Sequence, residues 1–365
     1  MDIRDYFEFG KLSSRLEDLE TPVPVIDIAK VDRNLRRWQA HCDAKGFGNR
    51  PHIKTHKLVP LARYQSDLGA RGITVQKLGE AEAMARGGLS DMLLTFNVVG
   101  GHKLARLAAL ARSTLISVVA DSVEVAEGLA SAGLMAGRSI EVLVECDTGA
   151  GRNGVQTPDA AVALAKGLSG MKGLAYAGLM TYPKTGARRQ AQEFFEETIA
   201  LAARAGLATR VVSTGGSPEM WSDEGLSPVT EYRAGTYIYY DRMQEACGAA
   251  DFDDCALTVL STVVSRPTRQ RAILDAGSKA LTSDLGGLTG YGAVRELGLA
   301  PVYALNEEHG YLDLTVSPHQ PKVGDRVRII PNHVCPVSNL FDRVVIVDGD
   351  RVLGDAKVDA RGLVQ

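Results

Sequence analysis

Arg50-Pro-His-Ile-Lys-Thr-His-Lys puts two imidazoles and two ammonium groups into one short stretch, where an apolar segment gives way to a helical pattern. Read as a strand over 50–54, alternation sets His52 and Lys54 on one face, with Thr55 starting the exit turn. An inward lysine loses hydration, which pulls its pKa down and suits it to a Schiff base with a carbonyl compound. The plain alternative is a basic surface turn. Near the other end, Asn332-His-Val-Cys-Pro holds a second pair of donors. His333 and Cys335 are two apart, so on an extended segment both side chains face one way and could share an ion. By spacing alone such a pair is more often structural.

Further polar residues fall where strand-like segments end: Gln76, Asn97, Asp147 to Arg152, Tyr182, and Ser213 to Ser217. Ser213-Thr-Gly-Gly-Ser opens a helical stretch, so its backbone N–H groups could cradle a phosphate, although most such turns are only turns. A lysine for an imine, a nest for a phosphate and a polar group for a pyridine ring are together what pyridoxal 5′-phosphate requires.

The elements that must hold these residues alternate. Strand patterns cover 23–27, 50–54, 72–76, 92–96, 115–120, 140–146, 175–180 and 210–214. Helical patterns cover 28–45, 58–68, 78–86, 103–112, 123–132, 159–168 and 187–205. Asp121-Ser122 and Thr157-Pro158-Asp159 are N-terminal cap signals. Eight strands with helices between them predict an α/β fold, a closed (β/α)8 TIM-like barrel, with an open doubly wound sheet as the competitor. After about residue 250 the texture turns to β-branched segments at 255–265, 271–275, 311–316, 325–330 and 343–347, a C-terminal all-β domain.

Bulk properties narrow the partners. The 365 residues are 45% hydrophobic and 23% charged, as in ordinary globular proteins. A net charge of −3 argues against nucleic acid as partner, and no apolar run suits a membrane span. The acidic, aromatic N-terminus is unlike a signal peptide, and five scattered cysteines form no disulfide framework, so a cytoplasmic setting is expected. Cys42, Cys146, Cys247 and Cys255 read as reduced packing residues. His41, His102 and His319 read as solvated surface groups.

Taken in order, Arg50-Pro-His-Ile-Lys-Thr-His-Lys, Asp147-Thr-Gly-Ala-Gly-Arg-Asn-Gly, Ser213-Thr-Gly-Gly, Arg233-Ala-Gly-Thr-Tyr237, Asn306-Glu-Glu-His-Gly310 and Pro331-Asn-His-Val-Cys335 span nearly the whole chain. This set resembles the D-threonine aldolase/D-serine dehydratase family, metal-activated fold-type III pyridoxal enzymes with an alanine-racemase-like barrel. The resemblance implies a pyridoxal-binding barrel over 22–248 and a β-rich domain, 1–21 plus 249–365, carrying the metal site. It implies that Lys54 carries the cofactor and that Arg152 and Tyr182 lie beside the ring, with His52 and Gln76 lining the site. The phosphate is expected against Thr214, Gly215, Gly216, Gly235 and Thr236, with Tyr237 nearby. His333 and Cys335 match the family's metal pair. Thiolate with imidazole favours Zn²⁺, whereas a His/Asp pair would suit Mn²⁺ or Mg²⁺. Such a protein is expected to be a homodimer acting on a small D-3-hydroxy amino acid.

Two routes use these residues. In dehydration, Lys54 takes the Cα proton and the metal assists the leaving hydroxide, giving a keto acid and ammonia. In retro-aldol cleavage, His56 takes the hydroxyl proton and the products are glycine and an aldehyde. Cys335 favours dehydration, because the aldolase branch usually has aspartate there. A non-catalytic pyridoxal-phosphate carrier would lack the β domain, and a racemase would want a second proton donor that the β segments do not obviously supply.

Overall fold

Eight parallel strands form one sheet in the computed structural model, which describes residues 1–365; from the second strand on each pairs with the next in chain order, and the last pairs with the first. They are Gly48–Asn49, Ile73–Val75, Asp91–Leu94, Leu115–Ala120, Ile140–Cys146, Leu174–Thr181, Val211–Gly215 and Glu231–Arg233. The two ends of the sheet meet. His52 bridges Thr74, Arg71 N donates to Asn49 O at 2.8 Å, and Thr74 N donates to Pro51 O at 2.8 Å. The ring therefore closes as a (β/α)8 barrel. Leu93, Val119, Leu143, Ala177 and Met180 form a buried cluster. Strands covered on both faces read as apolar runs, and Ile140–Cys146 is buried at every position but Glu141. Between strands run the helices Leu78–Arg86, Gly101–Ala111, Val123–Ala136, Pro158–Gly170 and Arg188–Arg204. Both cap signals land: Ser122 Oγ accepts Val125 N at 3.3 Å, and Thr157 Oγ1 accepts Ala160 N at 3.2 Å with Pro158 in the first turn.

Three details differ from the sequence reading. Val23–Asp27, expected as the first barrel strand, pairs instead with Leu257–Thr268 and Arg343–Asp348 in a different sheet. Pro24 is tolerated because the second neighbour joins only from Val25 onward. The eighth barrel strand is Glu231-Tyr-Arg233, which carries no apolar run. Its charges are paired inside: Arg50 Nε donates to Glu231 Oε2 at 2.8 Å, Ser213 Oγ to Glu231 Oε1 at 2.7 Å, and Arg233 Nη1 to Ser213 Oγ at 2.6 Å. Finally, residues 50–54 are not one strand, since Ile53–Thr55 turns as a 3-10 helix.

The chain divides into two compact units. Gln39–Lys54, Ala62–Gly235 and Leu363–Gln365 make the barrel unit, and Met1–Trp38, Thr55–Leu61 and Thr236–Gly362 make the other. Within the expected barrel span of 22–248, Val23–Asp27 pairs into the other unit's sheet.

In the second unit a nine-stranded sheet curls on itself, because Arg271–Leu274 pairs with both Gly310–Asp313 and Leu257–Thr268. Six strands so close a small antiparallel barrel, and Val23–Asp27, Arg343–Asp348 and Arg351–Lys357 extend it. No helix of the chain is long and apolar enough to cross a membrane. All five cysteines are free; Cys42, Cys146 and Cys255 are buried as expected, whereas Cys247 is exposed.

Candidate functional site

At the C-terminal edge of the barrel, a chain of hydrogen bonds fixes the backbone that carries Lys54. The Gln76 amide nitrogen donates to Thr95 O at 3.0 Å, which leaves its oxygen to accept from His52 Nε2 at 3.0 Å. With its proton on Nε2, His52 accepts at Nδ1 from Lys54 N at 3.4 Å. Glu80 Oε2 takes Gln76 N at 2.7 Å, and His52 N donates to Ala234 O at 2.8 Å. Lys54 is therefore held on a tight, half-buried turn rather than on a strand face.

The phosphate-type turn lies on the same edge. A Cβ on Gly215 would meet Arg233 O at 2.7 Å, and Gly216 has φ of +114°, so both positions require glycine. Tyr232 Oη donates to Gly216 O at 2.8 Å, and Gly235 N donates to Ser217 Oγ at 3.3 Å. The Tyr182 ring packs at Gly216, where a Cβ would come 3.6 Å from it. Arg152 stands over that ring, its guanidinium 5.1 Å from the centroid. Its loop returns to the strand it left, with Asp147 N donating to Val155 O and Val155 N to Glu145 O. Underneath lies Arg233, fully buried and donating to Ser213 Oγ and to Thr181 O at 2.7 Å, with burial pulling its pKa down to about 10. Thr214 is buried beside Gly215 at the end of its strand.

The donor pair belongs to the second unit. His333 is extended, but Cys335 already lies in the first turn of the helix Val334–Leu340, so an extended segment is not what aligns the pair. Asp241, wholly buried, clamps the residue between them, Oδ2 accepting Val334 N at 3.0 Å; burial pushes its carboxyl up to about 6. Asn332 is also wholly buried. Its amide donates to Asp284 O at 3.0 Å and Gly290 O at 2.8 Å, and its oxygen accepts from Arg242 Nη1 at 2.6 Å. His333 Nδ1 meets Asp284 Oδ2 at 2.8 Å, leaving Nε2 for the Cys335 side chain. Burial pulls the imidazole down, yet the bond to Cys335, its charge and Asp284 outweigh it and push the pKa up to about 9. Thr55 Oγ1 lies 3.2 Å from Cys335 Sγ and Thr236 Oγ1 3.8 Å from it.

His56, in the same unit, is buried and accepts Leu58 N at Nδ1, 3.1 Å away, so its neutral ring carries the proton on Nε2. Tyr237 is wholly buried, its ring 6.0 Å from that of Trp38. His41, expected in solvent, is instead wedged edge-on against Trp221 at 5.2 Å.

The donor sets fit the groups that the sequence implies. The Gly215–Gly216 turn lies beside a tyrosine and an arginine, residue types that suit a phosphorylated aromatic aldehyde. A soft thiol and an imidazole, with the second ring nitrogen tied to a carboxylate, suit a zinc-like ion. No third His, Cys, Asp or Glu joins them as a metal-binding group, and two protein donors leave positions for water and substrate.

Sequence reading passed over Asp241, Asp284, Glu145 and Asn332. Asn332 stood inside a quoted motif, but the carboxylates carry no local pattern and reach their partners only through the fold.

Known proteins match along the whole chain. The N-terminal domain of alanine racemase matches residues 26–243, and a serine dehydratase domain matches 256–347. A D-threonine aldolase from Arthrobacter sp. is 36% identical over 95% of this chain and 94% of its own. A D-threo-3-hydroxyaspartate dehydratase from Delftia sp. (strain HT23) is 34% identical over 90% of this chain and 94% of its own. The solved structure of D-threonine aldolase from Filomicrobium marinum superposes with a TM-score of 0.90, at 30% identity, over 98% of this chain and 100% of that one.

Proposed function

The chain belongs to the D-threonine aldolase/D-serine dehydratase family, and on that premise we propose that it is a pyridoxal 5′-phosphate- and divalent-metal-dependent dehydratase of D-3-hydroxy amino acids. The observation that carries this reading is the His333–Cys335 pair, with its imidazole tied to Asp284. Soft donors favour zinc, a strong Lewis acid, and hydroxide is a leaving group that needs one.

When bound, the cofactor supplies an electron sink for charge at Cα and the ion a Lewis acid for the β-hydroxyl. The chain's residues divide the remaining work. Lys54 Nζ binds the cofactor and takes the Cα proton, on a backbone that His52 and Gln76 hold still. The amides of the Gly215–Gly216 turn would receive the phosphate, with Tyr182 and Arg152 beside the ring. His333 and Cys335 grip the ion, Thr55 braces the thiol, and Asp241 and Asn332 fix the loop between. His56 Nε2, carrying the ring proton, is set to donate.

Retro-aldol cleavage has support from the identity to an aldolase. It asks His56 to accept a proton, however, and the Leu58 amide already holds the one bare nitrogen of its neutral ring. Incubation with D-threonine and zinc separates the two. We expect 2-oxobutanoate and ammonia, abolished by a chelator and restored by Zn²⁺; glycine with acetaldehyde would overturn the choice.

A further inference from the structure

Glu145, next to last in the strand Ile140–Cys146, has only 2% of its surface exposed, and its Oε2 has no hydrogen-bond partner. A bare buried carboxylate oxygen is unfavourable unless a cation is kept for it. Arg152 is within reach, its Nη2 3.9 Å from Glu145 Oε1. The two are also coupled through the backbone. The loop bearing Arg152 is clipped by Val155 N to Glu145 O at 2.9 Å, and Asp147 Oδ1 gathers Gly149 N and Gly151 N at 3.0 and 3.1 Å. Arg152 itself stays mostly exposed, bonded through Nε to Asn153 Oδ1 at 3.0 Å and lying over Tyr182.

We infer that Glu145 is the positioning residue for Arg152, a buried counter-charge that holds the guanidinium at the barrel mouth where it meets the anionic cofactor. This rests on the pyridoxal-phosphate reading of the same site. It is not what simple charge balance predicts, since an extra carboxylate beside an anion site would repel the ligand. The groups facing Glu145 are Arg152, Arg233, Asp121 and the Asn153 amide. Burial, reinforced by Asp121 and opposed by Arg152 and Arg233, pushes the carboxyl up to about 7. Above that pH the carboxylate holds Arg152, and below it the neutral acid lets go.

The test is a titration of cofactor-free protein with pyridoxal 5′-phosphate at pH 8, followed by quenching of intrinsic fluorescence. Glu145→Gln is expected to weaken binding roughly tenfold, the loss typical when one buried partner of a charge is removed. Glu145→Asp should recover part of it. Arg152→Gln should lose affinity too, and the double variant should bind no worse than Arg152→Gln alone, because Glu145 acts through that arginine. Between pH 8 and 6 the wild-type advantage over Glu145→Gln should shrink. Thermal melts of each variant separate loss of binding from loss of fold. Glu145→Gln binding as tightly as wild type, or losses that simply add in the double variant, would overturn the inference. A wild-type protein that binds no pyridoxal phosphate would instead remove the reading beneath it.

Discussion

Lys54 and Cys335 make separable claims, because attachment of a cofactor and assistance to a leaving group are different events. Lys54→Ala is expected to abolish absorbance near roughly 420 nm, the band of a protein-bound pyridoxal Schiff base. Cys335→Ala should keep that band and lose most turnover, which a spectrum and a product assay on one preparation would show. The orienting role of Asp284 has its own signature. Asp284→Ala should weaken zinc binding by roughly 10- to 100-fold, measured with a competing chromophoric chelator, while circular dichroism stays unchanged because the side chain is half exposed. If zinc binds both proteins alike, the bond from Asp284 to His333 orients nothing. At this scale the sequence was legible wherever chemistry is written in short motifs. Around Lys54 and Cys335 residue type and spacing marked candidates and the family resemblance chose among their readings, whereas Asp284 lies 49 positions from His333 with no pattern joining them.

Elements were legible in proportion to how apolar they are. Ile140–Cys146 and Leu115–Ala120 have the bounds their apolar runs predict. Glu231–Arg233 carries no apolar run, and its charged side chains are satisfied by an ion pair with Arg50 and a hydrogen bond to Ser213, partners no local pattern reveals. Val23–Asp27 was visible as a strand, but strand propensity does not say which sheet will accept it. One position inside the barrel tests how tightly neighbouring strands must approach. Gly178, in Leu174–Thr181, lies so close to the next strand that a Cβ would be driven into the Val211 carbonyl oxygen. Gly178→Ala should therefore cost several kcal/mol, about 3 or more, or prevent soluble expression, whereas Gly167→Ala, with open space around its Cβ, should not. Equal melting temperatures for these two variants would contradict that packing.

For the whole molecule, the same buried carboxyl that the cofactor site uses should weigh on stability. Glu145 has its folded pKa raised from 4.5 to about 7, so the folded state takes up its proton more readily than the unfolded chain. The penalty is full above about pH 7 and fades as pH falls toward 4.5, and its upper bound is about 3 kcal/mol. Cofactor-free Glu145→Gln is accordingly expected to melt higher than wild type at pH 8, with the gap closing by pH 5. A gap that widens in acid would reverse the sign and the argument with it. The two-part character of the chain was readable from the change of texture near residue 250, but the boundary was not, since the first strand joins partners more than 200 positions away. That pairing has a consequence for biosynthesis. All eight barrel strands lie within one contiguous stretch from Gly48 to Arg233, and seven of them pair in the order they are made, while Val23–Asp27 has neither neighbour until residues 257–260 and then 343–348 are translated. A nascent chain thus carries an unmated hydrophobic segment through most of its synthesis, a natural substrate for a holding chaperone.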